Sequence, residues 1–178
     1  MEPRLPSPVL LIIAAFSRHP EALDWARQRL EREFGPVELT GPVFAFDQTD
    51  YYAATMGSGL RKQLLAFRDL TAAERLAEIK LRTNALEREL AETGTFAEAR
   101  PLNLDPGYLA LGKFVLATTK DQSHRVYLRD GVFAEVTLRF QAGAFEPWPW
   151  SYADYRLDLV RDFLREAREY YRGRLREE

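Results

Sequence analysis

The densest polar stretch in the chain is Thr118, Thr119, Lys120, Asp121, Gln122, Ser123, His124 and Arg125, which closes the apolar run beginning at Phe114. Lys, His and Arg leaving one strand end can converge on a phosphate, lysine as a point charge and arginine as a bidentate fork. In that arrangement His124 or Asp121 serves as general base, while Lys120 and Arg125 stabilise charge developing on a phosphoryl oxygen. A solvated loop between two strands competes with this reading. For His124 a buried strand-end histidine bonded to backbone competes as well. A second group, Asn103, Leu104, Asp105, Pro106, Gly107 and Tyr108 with Lys113 close behind, is turn chemistry first and a ligand-binding loop second. The third, Met56 to Lys62, is a glycine loop near cations, but it lacks the Walker spacing of a phosphate loop.

Composition removes other chemistries. The 178 residues include no cysteine and two histidines, which excludes disulfide scaffolds, zinc-cysteine sites, iron-sulfur clusters, cysteine nucleophiles and three-histidine metal sites. A formal net charge of -2 with 46% hydrophobic and 29% charged residues is a globular profile, with no bulk charge that advertises nucleic acid or membrane. Paired carboxylates occur on every expected helix and discriminate nothing. Trp148 and Trp150 could stack on bases or sugars, yet alternating with prolines ahead of a helix they read as its anchor.

The elements that must position these residues follow from periodicity. Val9 to Phe16 is eight apolar residues, far short of the roughly 20 of a membrane span, so a buried strand of a cytoplasmic protein is expected. Pro20 opens a helix whose stripe is Leu23, Ala26, Leu30 and Phe34, stopped by Gly35 and Pro36. Val37 to Phe46 reads as a bent or bulged strand around Gly41 and Pro42. Arg61 to Leu70 fits either a returning strand or a short helix, with strand preferred. Thr71 and Glu74 form a capping-box pattern before Leu76, Ile79, Thr83, Leu86 and Leu90, a helix of about twenty residues. Pro101 and Pro106 punctuate a loop, and Phe114 to Thr118 supplies the next strand.

This order is β-α-β-β-α-β, that of a ferredoxin-like sandwich in the α+β class. A C-terminal hairpin extends it. A three-residue loop of Arg129, Asp130 and Gly131 pairs Leu128 with Val132 and Val126 with Ala134, which makes one face apolar from Val126 to Phe140. The same register sets Arg125 against Glu135 and Tyr127 against Phe133. Ser151, with Asp154 three residues on, is a plausible N-cap for a long terminal helix carrying Tyr155, Leu159, Phe163, Ala167 and Tyr170 on one face. No repeat or linker divides the chain, so residues 1–178 are expected to form a single domain.

The stretches FDQTDYYAATMG (46–57), EIKLRTNALE (78–87), NLDPGY (103–108) and KFVLATTKDQSHRVYLRDGVFAEVTL (113–138) resemble a bacterial family of unknown function, number four-four-one-six, whose members are sometimes labelled GTP-binding proteins. The resemblance spans nearly the whole chain, and TTKD-x-x-HR-x-Y-L is its most specific block. It implies that Asn103, Asp105, Tyr108, Lys113, Thr119, Lys120, Asp121, His124, Arg125, Tyr127 and Glu135 occupy the family's characteristic polar positions. Thr55 departs from the pattern, which usually carries Glu before Met-Gly. The residues do not support a GTPase mechanism, because no phosphate loop is present and Thr119-Lys120-Asp121 only approaches a guanine-reading Asn-Lys-x-Asp.

The expectation is therefore an α+β domain binding a small anionic ligand, a nucleotide or another phosphate ester, with hydrolysis or transfer of a phosphoryl group as the associated chemistry. His124 and Asp121 are the candidate catalytic residues. Lys120, Arg125, Lys113, Thr119, Asn103, Asp105, Tyr108, Tyr127 and Glu135 are the candidate ligand-binding ones. No metal site or cofactor is identifiable. The rival is a non-catalytic RNA-binding or protein-interaction module using Tyr127 and Phe133 as stacking platforms, disfavoured for RNA by the missing RNP aromatic motif. A homodimer through the terminal helix and tryptophan segment is compatible with either.

Overall fold

A strand made of consecutive apolar residues must be covered on both faces. In the computed structural model, which describes residues 2 and 4–177, Val9–Ser17 forms such a strand, β1, and all nine of its residues are buried. Leu10, Ile12 and Ala14 face one core, while Leu11, Ile13 and Ala15 face another. The helix α1 (Pro20–Phe34) follows, and its chain leaves through Gly35 at φ 87°. Then come β2 (Val37–Thr40), β3 (Phe44–Ala45), the single turn α2 (Ala53–Met56), β4 (Arg61–Thr71) and α3 (Leu76–Glu92). The second half is β5 (Asn103–Ala110), β6 (Lys113–Thr118), β7 (Val126–Arg129), β8 (Val132–Gln141), β9 (Ala144–Pro147) and α4 (Asp158–Glu177).

The nine strands form one antiparallel sheet along the path β2-β4-β1-β5-β6-β8-β7, with β3 beside β4 and β9 beside β8. Ala22, Ala26 and Leu30 of α1 and Ile79, Leu86 and Leu90 of α3 cover one face. The other face takes Val160, Phe163, Leu164, Ala167 and Tyr171 of α4. The Tyr171 hydroxyl donates to the Pro8 carbonyl at 2.6 Å, tying the terminal helix to the start of β1. The protein is thus α+β, with a larger sheet than a sandwich plus one hairpin.

Four local expectations are corrected. The strand after α3 is β5, in the segment read as turn and loop. Thr71 closes β4 rather than capping α3, and a 3-10 turn (Ala73–Arg75) without a side-chain cap precedes that helix. The β7-β8 hairpin has a two-residue turn: Asp130 and Gly131 both have positive φ, at 53° and 76°, matching the right-handed twist of the strands. A bulge after Tyr127 then restores the Val126-Ala134 and Tyr127-Phe133 pairs. However, Val126 and Leu128 are exposed on an edge strand instead of lying on an apolar face. Finally, Ser151 does not cap α4. Its hydroxyl bonds the Thr137 carbonyl and accepts from Trp148 N–H, and a 3-10 turn (Ala153–Arg156) intervenes before the helix.

Candidate functional site

The site is a split in the sheet. The β5-β6 ladder runs from Ala110-Lys113 to Gly107-Leu116 and stops there, whereas β5 keeps its pairing to β1 down to Asn103. Leu104 turns its N–H and C=O away from β1, so by the period of two Pro106 also faces β6, where it has no N–H to give. The ladder ends at this proline. Side chains from α3 take over the exposed edge: Glu87 accepts from Leu104 N–H at 2.7 Å, and Lys80 Nζ donates to the Leu104 carbonyl at 2.8 Å.

The resulting cavity measures about 610 Å³, within the size range of small-molecule pockets. Asn103 and Asp105 form one bank, and Leu116 to Lys120 form the other. Lys80, Asn84, Glu87 and Arg88 enter from α3. Phe46, Tyr51, Tyr52 and Tyr152 line the apolar part. In the next row across the sheet, Asn103 and Lys62 flank Phe16, which pairs with both.

Its interior charges come in pairs. Lys62 Nζ lies 2.7 Å from Asp154, both side chains 3% exposed, and the ammonium is also 4.8 to 5.2 Å from the ring centres of Tyr155, Phe46 and Phe16. Arg100 reaches Glu87 at 3.0 Å and also donates to Asn103 Oδ1. Lys80 lies 3.4 Å from Asp105. Burial works against ionisation of Asp105, but the charges of Lys80 and Lys62 outweigh it and hold the carboxyl below its ordinary value. For Glu87 the balance reverses: burial prevails over Lys80, Arg100 and the Leu104 N–H, and the carboxyl is raised. Burial likewise raises the hydroxyls of Tyr52, Tyr152 and Tyr155.

Two cations are spent differently. Lys120 stands 3.8 Å from the Tyr51 ring centre, has no carboxylate partner among the described residues, and holds the Tyr51 hydroxyl below its usual range. Arg88 is exposed at the cavity and makes no ion pair or hydrogen bond among the described residues.

The outer wall fixes the Lys120 loop. Arg125 Nε donates to Glu135 at 2.9 Å, Nη1 to the Lys120 carbonyl at 2.9 Å, and Nη2 to the Tyr152 hydroxyl at 2.6 Å. His124 shares Glu135, with its Nε2 3.1 Å from Oε2. Its ring stacks on Trp150, Trp150 on Trp148, and Arg139 on Trp148, a continuous four-member stack.

Of the residues singled out from sequence, Asn103, Asp105, Thr119, Lys120 and Glu135 line the cavity. Arg125 is a brace behind it, and His124 belongs to the stacked wall. Asp121 is exposed and does not line the cavity. Tyr108 packs with Val115 and Ala77 on the α3 side. Tyr127 sits on the edge strand against Phe133. Lys113 begins β6, five residues and therefore about 17 Å of strand from Thr118.

Sequence reasoning missed Lys80, Glu87, Arg88, Arg100 and Tyr152, and gave Lys62 and Asp154 other places, in a glycine loop and a helix cap. A signal existed for three of them. Lys62 shares strand parity with Leu64 and Ala66, and Lys80 and Glu87 fall within the stripe Leu76, Ile79, Thr83, Leu86 and Leu90, so each is a charge on a buried face. Among the described residues no group of three or more His, Asp or Glu is arranged to hold a metal ion, and no helix is long and apolar enough to cross a membrane.

Fold and site together define an α+β protein with a polar, aromatic-lined cleft opened inside an antiparallel sheet. The chain belongs to the family described as Domain of unknown function (DUF4416), matched over residues 7–171. No curated protein and no solved structure matches it.

Proposed function

We propose that the cleft binds a small anionic molecule, a nucleotide or another phosphate ester, with its anionic group held by Lys120, Arg88 and Arg100. The observation that carries this reading is the pair of cations, Lys120 and Arg88, that have no carboxylate partner among the described residues, at a cavity whose interior charges are paired. Unsatisfied positive charge beside tyrosine faces suits a ligand with a phosphate and a flat or polyhydroxylated body. A phosphoryl-transfer step in this cleft would use Glu87 as the proton-transfer group, because its raised carboxyl lies in the cavity, whereas His124 and Asp121 do not line it. We further read residues 9–110 as a ferredoxin-like unit, supported by the order β2-β4-β1-β5.

The test is a thermal-shift panel of nucleotides, sugar phosphates and short RNA on the wild type and Lys120→Ala. Ligand at about 100 times its Kd adds roughly 2.7 kcal/mol, or about 5 to 11 °C. The expected result is a shift with a phosphate ester that Lys120→Ala abolishes. A phosphate-ester shift that survives Lys120→Ala removes Lys120 from the site, and silence across the panel removes the reading. The rival interaction module has one observation in its favour, the exposed Val126, Tyr127 and Leu128 on edge strand β7. A response to RNA that falls steeply with salt would favour it.

A further inference from the structure

Two nearly inaccessible polar groups at the cavity lack a hydrogen-bond partner among the described residues: the Tyr155 hydroxyl, in a residue 1% exposed, and Asn103 Nδ2, in a residue 2% exposed. Such groups cost stability unless something satisfies them. Nothing in the core packing obliges position 155 to carry a hydroxyl. The ring is already packed against Phe114 and under the Lys62 ammonium, contacts that phenylalanine would supply equally. Asn103 gives its oxygen to Arg100, while its amide lies near the Asp105 carboxylate, close enough to favour its ionised form but outside hydrogen-bond geometry. Tyr155 lines the cavity together with Asp154, Asp105 and Glu135, which places its unpartnered hydroxyl at the same space as Asn103.

Resting on the phosphate-ester reading, we infer that the buried end of the cavity is a second subsite, which recognises an uncharged hydrogen-bonding head group on the ligand through the Tyr155 hydroxyl and Asn103 Nδ2. The ligand class is therefore narrowed to a phosphate monoester of a sugar, free or as part of a nucleotide. Its phosphate lies at Lys120, Arg88 and Arg100, and its hydroxyls or ring heteroatoms reach inward. Simple anions fill only the outer half. The inner half, where every ammonium and carboxylate is already paired, admits a neutral group with donors and acceptors and rejects a second charge.

The experiment titrates inorganic phosphate, ribose 5-phosphate and adenosine 5′-monophosphate into wild type and Tyr155→Phe by calorimetry, with the melting temperature of each protein measured alongside. Both esters should bind wild type more tightly than inorganic phosphate. Tyr155→Phe should lose about tenfold for at least one ester, change less than about twofold for inorganic phosphate, and melt no lower than wild type. Loss for both esters assigns the sugar to Tyr155, and loss for adenosine 5′-monophosphate alone assigns the base. Equal affinity of the wild type for phosphate and both esters overturns the inner subsite while leaving the anion site standing. So does a variant that melts lower and binds all three unchanged, which makes the hydroxyl structural. Absence of binding by all three overturns the phosphate-ester reading and the subsite with it.

Discussion

Removing one member of the Lys62-Asp154 pair should be among the most damaging conservative substitutions in the molecule. Asp154→Asn keeps the shape and a hydrogen-bond acceptor but leaves an ammonium that is 3% exposed with no counter-charge. Breaking a buried pair typically costs about 3 to 5 kcal/mol. A ceiling exists, because an unpaired ammonium can lose its proton, which for an ordinary lysine costs about 4.6 kcal/mol at pH 7 and about 1.9 kcal/mol at pH 9. The three rings around Lys62 offset part of the penalty. A loss of about 3 kcal/mol at pH 7, or about 6 to 12 °C in Tm, is expected, shrinking to below about 2 kcal/mol at pH 9. Urea unfolding at both pH values measures it. Lys62→Met with Asp154→Leu should return to within about 1 kcal/mol of wild type. A cost for Asp154→Asn under about 1 kcal/mol at pH 7, or the same cost at pH 9, would show that the Lys62 ammonium does not need its counter-charge.

Two further predictions concern the frame and the pH response. Gly107→Ala should cost about 1 to 3 kcal/mol in urea unfolding, because a Cβ there would press into the Val115 carbonyl of the paired strand, a backbone atom that cannot rotate aside. A neutral effect would mean that β5 and β6 yield more easily than their ladder suggests. Glu87, raised in the folded protein, holds its proton to higher pH than in the unfolded chain, so stability falls as pH rises from about 4.5 through its folded value. That component of the pH-stability curve should be missing in Glu87→Gln. Asp105, lowered, contributes in the opposite sense, adding stability above the ordinary aspartate range that is lost on acidification. An identical pH-stability curve for Glu87→Gln and wild type would contradict the burial argument.

What could be read from the residues alone divides along physical lines. Periodicity exposed α1 and α3, each of which buries a regular stripe, and an unbroken apolar run marked β1. The helix α4 was legible too, but its buried stripe is Val160, Phe163, Leu164, Ala167 and Tyr171, with Tyr155 in the turn before it and Leu159 exposed. The hairpin register chosen to make one face apolar also set Arg125 against Glu135, and those two side chains do form an ion pair. Yet that pair proved buried, and the expected apolar face of β7 lies in solvent. Asn103 to Tyr108 defeated the reading: residue types that make turns in isolation here form a strand held by β1, with Pro106 placed where β6 ends its pairing. The interior of the cavity was out of reach for a different reason. Lys62 and Asp154 are 92 residues apart, Lys80 and Asp105 come from a helix and a strand, and nothing local in either segment names the other. The polar loop after β6 was legible as a cluster, but the roles within it were not: Lys120 faces the cavity, while Arg125 and His124 are committed to Glu135.

Lys120 and Arg88, cations without a carboxylate partner among the described residues, should hold the phosphate of a small ester at the cleft in the sheet. Isothermal titration of ribose 5-phosphate into wild type and into the Arg88→Ala, Lys120→Ala double variant tests it most directly. Wild type should bind with a measurable Kd, weakened at least about 150-fold in the double variant, since each lost charge-assisted contact costs about 1.5 to 3 kcal/mol. A Kd unchanged by removing both cations would contradict that role for them.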